Sequence, residues 1–126
     1  MPYTYEIEEI GDYIKAVISG EYVAGEELED AVDIWGKVLN GCKGKGCDRI
    51  LAIWSVPGYL PTMAAYNLAD SGDRLGWPKE FKLAVVHTTE ERYQDSLMAE
   101  TFAGEHGFNV KMFMDENAAR KWLMED

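Results

Sequence analysis

The segment Arg49-Ile-Leu-Ala-Ile-Trp-Ser55 is apolar at consecutive positions rather than at alternate ones. An extended chain turns successive side chains to opposite faces, so this strand must be covered on both sides. That condition is met at the centre of a largely parallel sheet with helices packed on it. The strand stops at Ser55 and passes through Val56-Pro-Gly-Tyr-Leu-Pro61 to Thr62, whose hydroxyl suits the cap of a helix. In sheets of this kind partners bind beyond the carboxyl ends of the strands. Ser55, Tyr59 and Thr62 are therefore the first candidates for a switch or interaction loop.

The flanking sequence supplies the rest of an α/β domain. Tyr3, Tyr5 and Ile7 alternate with Thr4, Glu6 and Glu8, then Ile14, Ala16 and Ile18 alternate with their neighbours, and Gly11-Asp12 between them predicts an antiparallel hairpin. From Glu26 the residues Leu28, Ala31, Val32, Trp35, Val38 and Leu39 recur at offsets of three and four and form one face of a helix, with acids in its first half and Lys37 near its end. Beyond the central strand, Thr62 opens a helix to about Leu75, stopped by Gly76. Phe81 to Thr88 is a second buried strand. Thr88 or Thr89 caps a helix from Glu90 to about His106, ended by Gly107. Asn109 to Met114 alternates as a last strand, and Asp115 caps a final helix that turns Ala118, Ala119, Trp122 and Leu123 inward. The expected order is β-β-α-β-α-β-α-β-α, a mixed five-stranded sheet with an antiparallel opening hairpin, parallel later strands and four main helices. Right-handed crossovers put the carboxyl ends of the parallel strands on one rim.

Charge and cysteine content narrow the function classes. The 126 residues carry a formal net charge of −11, which repels phosphate backbones and anionic lipid surfaces, so no nucleic acid is expected and a neutral or basic protein partner fits better. The length matches one domain over residues 1–126. No apolar run approaches the ~20 residues of a membrane span, and Met1-Pro-Tyr-Thr-Tyr-Glu6 lacks the basic and apolar regions of an export leader, so a cytoplasmic location is expected. Cys42 and Cys47 sit in Gly41-Cys-Lys-Gly-Lys-Gly-Cys-Asp48, read as a solvated glycine-rich loop with reduced thiols, a reversible local disulfide being the alternative. His87 and His106 are distant from that pair, so no metal site and no cofactor is expected.

One constellation deserves weighing as chemistry. Ser55, His87 and Asp115 all fall at strand ends on the expected rim, and a serine, a base and an orienting carboxylate make a hydrolytic triad. Ser55 lacks the G-x-S-x-G elbow that exposes such a hydroxyl, and Asp115 already serves as a helix cap, so the expectation is no catalytic residue and no enzyme. Trp54, Tyr66 and Trp77, with Tyr59, mark a candidate apolar cleft for a small ligand. Exposed aromatics also point to self-association as a homodimer.

The opening hairpin, the acidic first helix, the Arg49-Ile-Leu51 strand, Leu75-Gly-Trp-Pro78, Lys82-Leu-Ala-Val85 and the closing Gly107-Phe-Asn-Val-Lys-Met-Phe113, Ala119 and Trp122-Leu123 together resemble the SpoIIAA-like branch of the STAS/Sec14 families. The resemblance covers nearly the whole chain. It implies a βα superhelical domain, often self-associating, in a branch mostly of undetermined function. It implies two activities by analogy: a phosphorylatable binding switch with its modified serine at the start of the helix after the central strand, or the binding of an apolar or lipid ligand of Sec14 type. Here Pro57, Gly58 and Pro61 replace the switch family's Asp-Ser-Ser/Gly-type motif, and Ser55 and Thr62 are the hydroxyls available. A non-enzymatic regulatory domain with an unknown protein partner is the leading expectation.

Overall fold

The Gly11-Asp12 turn fixes the register of the first two strands. Gly11 adopts φ 57°, open to glycine without a side-chain clash, and closes a two-residue loop that sets Ile10 opposite Tyr13 and Tyr3 opposite Gly20. The computed structural model describes residues 3–20, 27–43, 48–55 and 62–125. Its elements run β1 (Tyr3–Ile10), β2 (Tyr13–Gly20), α1 (Glu27–Lys43), β3 (Arg49–Ser55), α2 (Thr62–Leu75), β4 (Lys82–His87), α3 (Glu90–Glu105), β5 (Asn109–Phe113) and α4 (Glu116–Met124). The expected order of elements and the mixed sheet are both present. The strands lie side by side in chain order, β1-β2-β3-β4-β5, with β1 antiparallel to β2 and every later pair parallel.

The doubly apolar β3 is at the middle of this sheet, as its composition requires. Ile50, Ala52 and Trp54 face one side with Ile14, Ala16 and Ile18 of β2, Leu83 and Val85 of β4, and Met112 of β5. Ile34, Val38, Leu39 and Cys42 of α1, Ala103 of α3 and Leu75 of α2 close over that face. Leu51 and Ile53 face the other side with Ala84 and Val86, and among the described helices α4 covers them, through Ala119 and Leu123. Burying a side chain such as Ile50, Leu51 or Leu123 contributes about 1.5–3 kcal/mol each.

Three local expectations change. Helix α1 continues through Gly41 and Cys42 to Lys43, so Cys42 is a buried core residue and not part of a loop; Cys47 lies outside the described residues. Gly41 lies inside the helix, where a Cβ would collide with the Ile7 side chain of β1, so the glycine there allows α1 and β1 to pack closely. The buried stripe of α1 runs through Ala31, Ile34, Val38, Leu39 and Cys42, so Ala31, Val38 and Leu39 of the expected face are buried, Ile34 and Cys42 join them, and Val32 and Trp35 are half-buried. Ala118 is exposed, and Ala119 and Leu123 alone of the four expected α4 residues are fully buried. Thr89, not Thr88, caps α3, its hydroxyl accepting from the Arg92 amide at 3.2 Å.

Candidate functional site

The carboxyl rim of the sheet is built from Ser55, His87, and the caps Thr89 and Asp115. Alternation decides which of these can meet. Ser55 follows Leu51 and Ile53 on the α4 face of β3, whereas His87 follows Leu83 and Val85 on the three-helix face of β4. Trp54, not Ser55, is the register partner of His87. Asp115 accepts from the Asn117 and Ala118 amides at 3.2 and 3.3 Å as the cap of α4. The serine and the histidine thus point to opposite faces of one sheet, and the Ser/His/Asp set does not assemble.

Ser55 stands instead at the end of a row of hydroxyls that the sequence reading did not single out. Ser19 is its register partner on β2, Thr4 is the partner of Ser19 on β1, and the Thr4 and Ser19 hydroxyl oxygens lie 2.9 Å apart. The signal was present, since a hairpin closing on Gly11-Asp12 necessarily sets Thr4 against Ser19. Thr62 is the first residue of α2; its side chain and the whole of Tyr59 fall outside the described residues.

His87 is 6% exposed. Its Nε2 lies 3.4 Å from the Met112 Sδ, and its Nδ1 is buried with no hydrogen-bond partner among the described residues. Burial, with the positive charge of Arg92 as the second cause, lowers its pKa to about 4. The ring is therefore neutral at physiological pH and a weaker base than the near-neutral pKa that proton transfer favours.

The candidate aromatic cleft resolves into two groups. Trp54 stacks on Trp35 with ring centroids 5.4 Å apart, and Trp35 meets Trp77 edge-on at 6.2 Å. Tyr66, on α2, packs edge-on against Phe102 and His106 of the α3 end at 5.3 and 5.9 Å. Between the helices and the sheet lies an apolar cavity of about 100 Å3 to which Trp35 and Trp77 contribute, and neither Trp54 nor Tyr66 is among its described lining residues. That volume is well below the roughly 300–1,000 Å3 of pockets that hold drug-sized ligands.

The opposite, amino-end rim is dominated by cations that meet helix carbonyls. Arg49 donates to the Leu123 carbonyl at 2.9 Å, and Lys82 donates to the Trp122 and Glu125 carbonyls at 2.7 and 2.8 Å, with its ammonium 4.6 Å from the Trp122 ring centroid. Lys79 donates to the His106 carbonyl after α3 and lies over the Phe108 ring. These are the last carbonyls of two helices, where positive charge is favourable.

Among the described residues no group of three or more His, Cys, Asp or Glu side chains is placed to hold a metal ion, and no helix is long and apolar enough to cross a membrane. No family model and no curated protein matches the chain. Solved structures do. An anti-sigma factor antagonist from Mycobacterium paratuberculosis superposes with a TM-score of 0.63 at 13% sequence identity, over 98% of this chain and 95% of that one. An uncharacterized DUF3478-family protein with a SpoIIAA-like fold from Shewanella loihica PV-4 superposes with a TM-score of 0.55 at 22% identity, over 96% of this chain and 93% of that one. The class is thereby defined: the chain has the SpoIIAA-like fold, α/β with a mixed five-stranded sheet and four helices.

Proposed function

We propose that this protein is a non-enzymatic regulatory domain of the STAS type that acts by binding another protein through the passage from β3 to α2, from Ser55 to Thr62. The observation that carries the reading is the end-to-end likeness to a solved anti-sigma factor antagonist, with nearly all of both chains matched. The start of α2 supports it. The first turns of α3 and α4 hold Glu90, Glu91 and Glu116, whereas the first turn of α2 contains no acid. Helix N-termini attract negative groups, so the start of α2, which carries no acid of its own, is suited to a phosphate placed on Thr62 or to a partner's carboxylate. The net charge of −11 favours a neutral or basic partner over the rest of the surface. A cavity of about 100 Å3 is small for a lipid chain, which weighs against the alternative of a Sec14-type ligand carrier.

The test is site-specific photo-crosslinking from position 59, with position 124 on the opposite rim as the control. A protein captured from 59 and not from 124 is then purified and titrated calorimetrically against the parent chain, Ser55→Ala and Thr62→Glu. Thr62→Glu is expected to weaken binding by about tenfold or more, as a charge set in an interface does. Equal capture from both positions, or unchanged affinity of Thr62→Glu, would remove the loop from the interface.

A further inference from the structure

A second surface is the outer edge of β1, which pairs with no further strand among the described residues. The strand runs for eight residues, Tyr3–Ile10, without a proline, and it is last in the sheet. Because the hairpin closes on the Ile10 and Tyr13 pair across a two-residue turn, the pairs that exchange backbone hydrogen bonds are Ile10 with Tyr13, Glu8 with Lys15, Glu6 with Val17 and Thr4 with Ser19. The intervening residues, Tyr5 and Ile7 among them, then turn their amides and carbonyls away from the sheet. Such a row is a template for one more strand.

The side chains along this edge state what kind of strand it accepts. On the α4 face Glu6 and Glu8 are exposed, and neither has an ion pair among the described residues; Lys15, opposite Glu8, is bound to Glu116 at 3.2 Å. On the three-helix face Tyr5 is 39% exposed, and Ile7 packs at the margin of the core. Two copies of β1 brought edge to edge would bring these carboxylates together, so the edge disfavours its own copy. An incoming strand of alternating basic and apolar residues meets the opposite situation. Its cations lie beside Glu6 and Glu8, and its apolar side chains extend the row of Tyr5 and Ile7.

We propose that the outer edge of β1 binds an extended basic peptide segment of a partner protein by strand addition, main-chain hydrogen bonds at Tyr5 and Ile7 holding it and Glu6 and Glu8 selecting its charge. This site is separate from the loop proposed above, and either can fail without the other.

The experiment uses the full chain and two capped peptides, Thr-Lys-Val-Lys-Val-Lys-Thr and its counterpart with glutamate in place of every lysine. Amide hydrogen exchange followed by NMR should show the basic peptide slowing the Tyr5 and Ile7 amides by about tenfold or more, and the acidic peptide leaving them unchanged. The double variant Glu6→Gln with Glu8→Gln should weaken the basic peptide by roughly tenfold, through loss of the charge pairs. Tyr5→Pro deletes an outward amide at a place where an edge strand tolerates proline, and it should reduce binding further. If that variant does not fold, the glutamine variant and the exchange map still decide the matter. Protection that appears elsewhere, no binding of the basic peptide, or equal affinity of the glutamine variant would overturn the proposal. So would slowing of Tyr5 and Ile7 with rising protein concentration alone, which would make a second copy the occupant.

Discussion

The two rims of one sheet are built on opposite principles. At the amino-end rim Arg49, Lys79 and Lys82 reach the terminal carbonyls of α3 and α4, so the ends of these two helices are satisfied by charged donors from neighbouring elements. At the carboxyl rim the described polar groups cap their own helices, form the Thr4 and Ser19 hydroxyl pair, or, in His87, are buried beside a thioether. Among the described residues, the side-chain bonds that brace helix-terminal carbonyls from a neighbouring element gather at the amino-end rim. The difference teaches that long-range polar bracing is divided along the strand direction, with cations from neighbouring elements at one end and mostly local caps at the other.

That division makes graded predictions. Leu123→Ala removes a fully buried side chain from α4, at the residue whose carbonyl Arg49 holds, and should cost about 3 kcal/mol by urea denaturation. Acid should act at the other rim. His87 titrates near 6.5 when unfolded and about 4 when folded, so below pH 6.5 the unfolded chain takes up a proton that the folded chain refuses. Stability present at pH 7 is lost as the pH falls from 6.5 to 4, by on the order of 3 kcal/mol, and His87→Gln should flatten that part of the profile. Lys82→Met, which keeps the stem and deletes two charged hydrogen bonds at the amino-end rim, should cost about 2 kcal/mol, measured the same way. Ser55→Ala should change stability by less than about 0.5 kcal/mol. If Ser55→Ala proves as costly as Lys82→Met, the contrast between the rims is wrong.

Much of this arrangement was readable from local patterns. Alternation in Tyr3–Ile10 and Tyr13–Gly20, the doubly apolar β3, and the Asp115 cap each specify their element within a few residues of chain. What escaped were effects of distant neighbours. Gly41 reads as a stop until Ile7 is placed beside it, and only then does Cys42 become a core residue. Gly72 differs, since its place on the small-residue face of α2 already implies close packing; the structure adds the neighbour, the Phe108 ring, which a Cβ there would approach to 2.6 Å. The candidate triad failed for a different reason. Ser55 and His87 are both strand-end residues, but the β3 and β4 register is offset by one position between them, and one position in a strand is a change of face. The cations of the amino-end rim bond to backbone carbonyls, which no side-chain pattern announces.

The sequential strand order has a consequence for how the chain is made. Because β1 to β5 are neighbours in the order of synthesis, each strand finds its sheet partner already formed when it leaves the ribosome, with only one helix to fold between them. Helix α4 is the last of these elements to emerge, and among the described helices it is the one that covers Leu51, Ala84 and Val86. Among the described elements, that face of the growing sheet thus stays without its helix until α4 has emerged, and a nascent chain arrested after β5 would present that greasy surface to whatever is nearby.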